Sequence, residues 1–168
     1  MKVIFSHGKE SGPWGSKIRR LAYIAREHGF EVDSIDYSGM DDPELRVKKL
    51  RAILVNENLD ELILVGSSMG GYVSLSALDS QLPKALFLLA PALYMPNYNI
   101  PNNDFSDSLI EIVHGWSDNI IPIEHSIKFA QQYHHTLHLI DGDHRLNSSK
   151  DMVASLFTRF LAQVKSQE

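Results

Sequence analysis

The sequence contains no cysteine. That removes a disulfide framework, a thiol nucleophile and thiolate metal ligands at once. It also lacks a basic excess: 16 Lys+Arg stand against 21 Asp+Glu, for a formal charge of −5. Proteins that neutralise phosphate backbones or anionic lipid concentrate positive charge, so neither nucleic acid nor a membrane surface is an expected partner. Long apolar runs are missing too. The longest uncharged apolar stretch, Ala85–Met95, contains Pro91 and falls short of the ~20 residues a membrane span needs. The N-terminus reaches Ser6 and His7 after only Val3, Ile4 and Phe5, which is too short for the hydrophobic region of a secretory signal. We expect a soluble, cytoplasmic protein. No internal repeat, low-complexity tract or interdomain linker is visible, so residues 1–168 read as one domain.

What is present is ordinary globular material, 43% hydrophobic and 22% charged in 168 residues. A chain of this length buries about 70% of the surface its unfolded form exposes. Short runs rich in Val, Ile, Leu and Phe occur at Lys2–Ser6, Glu31–Asp36, Glu61–Val65, Ala85–Ala90, Leu109–His114 and Thr136–Ile140. Several are continuously apolar, as strands buried on both faces are. Helical periodicity lies between them. Ile18, Leu21, Ala22 and Ala25 form one stripe ended by Gly29, and Val47, Leu50, Ile53 and Leu54 another, opened by Asp42 as N-cap with Pro43 behind it. A third helix is expected from Met69 to about Leu78, and a fourth carries Ile123, Ile127 and Ala130. The last presents Met152, Val153, Leu156, Phe157, Phe160, Leu161 and Val164. Strand and helix alternate throughout, which predicts an α/β class fold: a three-layer α/β/α sandwich around a mostly parallel six-stranded sheet. Ligands then belong at the carboxyl ends of the strands. Pro91–Asp107 is the one long irregular stretch, with Pro91, Pro96 and Pro101 in it.

The chemistry concentrates where Leu62-Ile63-Leu64-Val65 runs into Gly66-Ser67-Ser68-Met69-Gly70. A strand passing through Gly-x-Ser-x-Gly into a helix is the nucleophile-elbow pattern. The turn is so sharp that side chains two residues before and after the nucleophile would collide. Ser68 has Gly66 and Gly70 at those places, whereas Ser67 would have Val65 and Met69, so Ser68 is the expected nucleophile. A serine hydroxyl needs a base, usually a histidine held by a carboxylate. His144, in a turn between the last strand and the last helix, suits the base, with His7 and His114 at the same sheet end. Asp118, on the loop after the fifth strand, suits the acid. Asp141 and Asp143 are rivals that their closeness to His144 makes better turn-formers.

Other readings fit less well. Gly8 to Lys17 is glycine-rich but lacks the spacing of a phosphate loop, and Gly66-Ser67-Ser68 breaks the dinucleotide fingerprint. His134, His135 and His138 with Asp141 and Asp143 could suggest a metal, but neighbours along a strand face opposite ways. No metal is expected.

Gly66–Gly70, His114-Gly115-x-x-Asp118-x-x-Ile121-Pro122 and Gly142-Asp143-His144 occur in the order Ser, acid, His, and in this the chain resembles the α/β-hydrolase superfamily over nearly its whole length. It is similar to the short, lidless bacterial esterases of that superfamily, without the first two strands of larger members. The resemblance implies a minimal α/β-hydrolase fold and a serine esterase or thioesterase with Ser68, His144 and Asp118 as catalytic triad. His7-Gly8 matches the family's oxyanion loop, which implies an oxyanion hole from the backbone N–H groups of Met69 and of Lys9, or of Glu10 beside it. No cofactor is implied. The expected partner is a small-molecule ester or thioester, with an amide, lactone or peroxy substrate, or a non-catalytic binding module, as alternatives. Pro91–Asp107 is the one segment long enough to wall the acyl site, with Tyr94 and Tyr98 as substrate-binding residues beside Leu93, Met95, Ile100 and Phe105.

Overall fold

A computed structural model describes residues 1–100 and 102–167. Six strands, β1 (Lys2–Ser6), β2 (Glu31–Ile35), β3 (Leu62–Ser67), β4 (Ala85–Leu89), β5 (Leu109–Gly115) and β6 (Thr136–Ile140), form one sheet in the order β2-β1-β3-β4-β5-β6. Every neighbouring pair is parallel, so the sheet is wholly rather than mostly parallel. Five helices surround it: α1 (Ser16–Glu27), α2 (Pro43–Leu54), α3 (Met69–Ser76), α4 (Ile123–Tyr133) and α5 (Lys150–Lys165).

Continuously apolar strands follow from this layering. Along β3, Leu62 and Leu64 join the core under α2, α3 and α4, while Ile63 and Val65 join the core under α1 and α5. Both faces exclude water, so no alternation is visible in the sequence. Helix α2 starts as its sequence predicts, with the Asp42 carboxylate accepting from the Glu44 N–H at 2.9 Å and Pro43 in the first turn. Helix α4 departs from expectation. Its fully buried residues are Ser126, Phe129 and Ala130, and Ile123 and Ile127 sit at the margin. Met152 of α5 is likewise exposed.

The irregular stretch after β4 has a structural reason. Parallel neighbours need a crossover of a dozen or more residues, and between β4 and β5 no helix supplies it. The connection fills the space itself: Leu93 and Phe105 are fully buried, and Phe105 packs on Phe129 with ring centroids 5.7 Å apart. Those two expected wall residues are therefore core. Pro101, one of the three prolines of this stretch, lies outside the described residues.

The first strand, β1, lies inside the sheet; the chain runs outward from it to the edge strand β2, then returns to the other side of β1 as β3. This reversal opens a crevice at the carboxyl ends of β1 and β3, where open parallel sheets bind ligands. His7-Gly8 leaves β1 there, and Ser67-Ser68 leaves β3.

Candidate active site

Ser68 links β3 to α3 with φ 55° and ψ −119°. A non-glycine residue held at positive φ costs of order 1–3 kcal/mol and persists only where its surroundings impose it. Here the surroundings are backbone packed on backbone. A Cβ on Gly66 would stand 2.5 Å from the Gly70 carbonyl oxygen, and one on Gly70 only 1.9 Å from that of Ser6. The glycines let strand, turn and helix touch, and the Ser68 N–H is tied to the Leu89 carbonyl at 2.9 Å.

His144 follows β6, its loop locked to the loop after β5. The Ser117 N–H donates to the Gly142 carbonyl at 2.9 Å, and a Cβ on Gly115 would lie 2.3 Å from that same oxygen. The imidazole bridges two partners: Nε2 is 2.9 Å from Ser68 Oγ and Nδ1 is 2.7 Å from Asp118 Oδ2. Since a carboxylate only accepts, Nδ1 carries the proton and Nε2 is free to accept from the serine hydroxyl.

The Asp118 side chain is fully buried. Burial pushes its carboxyl pKa up, but the Ile121 N–H, His144 and the Ile120 N–H more than offset this and hold it below the ordinary value. Oδ1 accepts from Ile120 and Ile121 at 2.8 and 2.9 Å, which leaves Oδ2 for His144. A second histidine shares Oδ2. His114 Nε2 lies 2.9 Å from it and 3.1 Å from the Ile121 carbonyl, both acceptors, so Nε2 carries a proton and Nδ1 accepts from Ser126 Oγ at 2.8 Å. Burial lowers the His114 pKa, and the ring is a neutral donor. The sequence placed His114 at this end of the sheet without revealing that it bonds to Asp118.

The rival carboxylates lie elsewhere. Asp143 accepts from the Arg145 N–H at 3.0 Å, shaping its turn. Asp141 is exposed, and its carbonyl accepts from Ser149.

A Cβ on Gly8 would be 3.4 Å from Ser68 Cβ, so the loop after β1 runs beside Ser68. Among the described residues, the N–H groups of Met69, Lys9 and Glu10 have no protein acceptor. Nearby, Lys17 Nζ lies 3.4 Å from Ser67 Oγ, and burial brings its pKa down to about 8, against the pull of Asp143 and Asp118. Nothing in the sequence marked Lys17. Tyr94 packs over α4, with Lys128 Nζ 4.2 Å from its ring centre and its hydroxyl 3.4 Å from Gln132. Tyr98 packs at a tilt against Tyr72, ring centroids 4.7 Å apart. Neither tyrosine makes a hydrogen bond or ring contact with Ser68, His144 or Asp118 among the described residues. An open groove of about 370 Å³ lies along the acid loop, lined by Trp116, Asn119, Ile120, Pro122, Ile123 and Glu124 besides Asp118.

Comparison with known proteins agrees with this architecture. The structure is similar to that of a presumed hydrolase of the alpha/beta superfamily from Xanthomonas campestris pv. campestris (29% identity, TM-score 0.87, covering 97% of this chain and 99% of that one). It is also similar to Est1E from Butyrivibrio proteoclasticus (22% identity, TM-score 0.80, 98% and 88% covered) and to alpha/beta hydrolase domain-containing protein 10 from mouse (17%, 0.76, 97% and 90%). Residues 2–102 match the uncharacterised protein family UPF0227. The chain belongs to this family. No curated protein matches the sequence. The UPF0227 match ends before Asp118 and His144, so it covers the loop after β1 and the Gly66–Gly70 turn, while the structural neighbours extend the α/β-hydrolase fold over both later loops.

Proposed function

We propose that the protein is a serine hydrolase that cleaves the carboxylic ester or thioester of a small soluble substrate. One observation carries this reading: the unbroken hydrogen-bond chain Ser68 Oγ to His144 to buried Asp118, starting from a serine held at positive φ. The Xanthomonas protein, described as a presumed hydrolase, supports it.

In the proposed reaction Ser68 Oγ attacks the substrate carbonyl carbon as His144 Nε2 takes the hydroxyl proton. The carbonyl oxygen becomes an oxyanion, met by the Met69 N–H and a second N–H from the loop after β1. Collapse expels the alcohol or thiol, which takes the proton from His144, and leaves an acyl-serine. Water, deprotonated by the same histidine, repeats the sequence and releases the acid. Asp118 keeps the imidazole in the Nδ1–H tautomer and stabilises the imidazolium that forms. Tyr94 and Tyr98 belong to this proposal only as outer walls. The groove beside the acid loop is open, so short acyl chains should be preferred, without activation at an oil–water interface.

The test is labelling of the purified protein by a fluorophosphonate, followed by a screen of p-nitrophenyl esters and acyl thioesters. Labelling at Ser68 with loss of turnover is expected. An unlabelled protein with no activity in the screen would show a binding module instead.

A further inference from the structure

A charged side chain outside the chemistry above is buried: Arg46, in the first turn of α2. It is 2% exposed, and among the described residues no carboxylate lies within ion-pair distance of it. A guanidinium is always charged and is expensive to bury unpaired. Its donors go to three backbone carbonyls: Nε to Met40 at 2.7 Å, and Nη1 to His7 at 3.1 Å and to Gly8 at 3.3 Å. Its plane also lies over the Tyr37 ring, 5.2 Å from the centroid. A buried cation is thus spent on the two residues that leave β1 for the site.

A second donor reaches the same place. The Tyr37 N–H donates to His7 Nε2 at 3.1 Å, which puts the His7 proton on Nδ1, and Nδ1 donates to the Gly8 carbonyl at 2.7 Å. The Gly8 carbonyl therefore receives Arg46 and His7 together, and both lie on the interior side of the loop. Its peptide is trans, so the Lys9 N–H points opposite to that carbonyl. The loop meanwhile runs close enough to Ser68 that a Gly8 Cβ would touch its Cβ.

We propose that Arg46, with His7, is a positioning residue of the oxyanion site: by holding the Gly8 carbonyl inward it turns the Lys9 N–H, rather than that of Glu10, toward the oxygen bound at Ser68. The inference rests on the hydrolase reading above. Two effects combine. The peptide cannot flip, so the donor is in place before the oxyanion forms, as preorganised electrostatic stabilisation requires. Hydrogen bonds accepted by the carbonyl also polarise the peptide and strengthen its N–H as a donor. Arg46 does not touch substrate, so its loss should act on the transition state and leave ground-state binding alone.

The experiment compares wild type, Arg46→Met and Arg46→Lys on p-nitrophenyl acetate, and measures affinity for a trifluoromethyl ketone, whose adduct with Ser68 carries the oxyanion. In folded Arg46→Met kcat should fall by roughly 10²-fold, the size of one lost oxyanion donor. KM should be unchanged and ketone affinity should fall in parallel, a split that loosened packing would not give. Wild-type kcat and ketone affinity in the folded variant would overturn the proposal, as would a rise confined to KM. Should Arg46→Met fail to fold, Arg46→Lys decides: its single ammonium cannot span three carbonyls, so a loss of about tenfold in kcat, about one net hydrogen bond, supports the role and wild-type kcat refutes it. If wild type neither turns over esters nor labels with fluorophosphonate, the hydrolase reading has failed by itself. A crystal structure of Arg46→Met, or of Arg46→Lys if only that variant folds, then tests the positioning: a turned Gly8–Lys9 peptide upholds it, and an unmoved one overturns it.

Discussion

The two sides of the site are held by different physics. On the Ser68 side, β1 and β3 are interior strands and the contacts are close: a Cβ on Gly66 or Gly70 would run into backbone and one on Gly71 into Pro91, and β3 is buried along its length up to Gly66. On the side of Asp118 and His144, β6 is an edge strand that is exposed or half-buried throughout, and apart from the close approach of Gly115 to Gly142 the order comes from hydrogen bonds. Asp118 accepts four of them, the Gly142 carbonyl ties the two loops, and lower on the same strands the Glu111 carboxylate, buried in β5, takes His138 at 2.7 Å and Arg159 at 3.4 Å. Packing leaves a position no alternative, whereas hydrogen bonds leave it a cheaper one. Substitution on the Ser68 side should therefore fail all at once, and loss of a single hydrogen bond to Asp118 by degrees.

The sharpest break in that contrast is at the nucleophile. Ser68→Ala should lower kcat by 10⁴-fold or more, while Ser67→Ala keeps at least part of the activity; equal losses in a p-nitrophenyl ester assay would remove Ser68 from its role. Asp118→Asn should cost about 10⁴-fold in kcat by favouring the wrong His144 tautomer, with Asp143→Asn costing far less, and the reverse ranking would move the acid to Asp143. His114→Phe tests the graded response. Loss of one donor to a charged acceptor, about 1.5 kcal/mol, should reduce kcat by about tenfold without abolishing it. A loss as large as that of Asp118→Asn would show that the acid side is as brittle as the elbow.

The smallest effects are in the pH dependence of stability. Because the folded pKa of Asp118 is depressed, its contribution is present above the unfolded value of about 3.9 and lost as pH falls through the folded one. Chemical denaturation of Asp118→Asn should therefore show a shallower loss of stability in that acid range than wild type. His135, at the foot of β6, has its pKa brought down to about 4 chiefly by burial, with His134 adding to the effect. The unfolded chain takes up a proton near pH 6.5 that the folded one refuses until about 4, so stability should decline across that window. His135→Leu should flatten the decline, and an unchanged slope would show that the edge tolerates the charge.

Much was legible in the chain because it is written in local rules. Strand runs, the Asp42-Pro43 helix start and the choice of Ser68 over Ser67 each follow from a few neighbouring residues, since burial on two faces, capping and steric collision act over short spans. Asp118 and His144 were legible as candidates because their loops had to leave the same end of a parallel sheet. Which side chains completed the site was not. Arg46 looks like any surface arginine of an amphipathic helix, and only the docking of α2 against the loop after β1 turns it inward. His114 competed with His144 for the role of base until the register of β5 and β6 placed one on each side of Asp118. Leu93 and Phe105 read as pocket wall because a sequence cannot say whether a long connection lies over a crevice or fills the gap left by a missing crossover helix. Local pattern specifies which elements form and where a nucleophile can stand. Which distant carbonyl a buried cation serves, and which of two histidines meets the serine, depends on contacts between residues far apart in the chain, and those exist only once the sheet has closed its order.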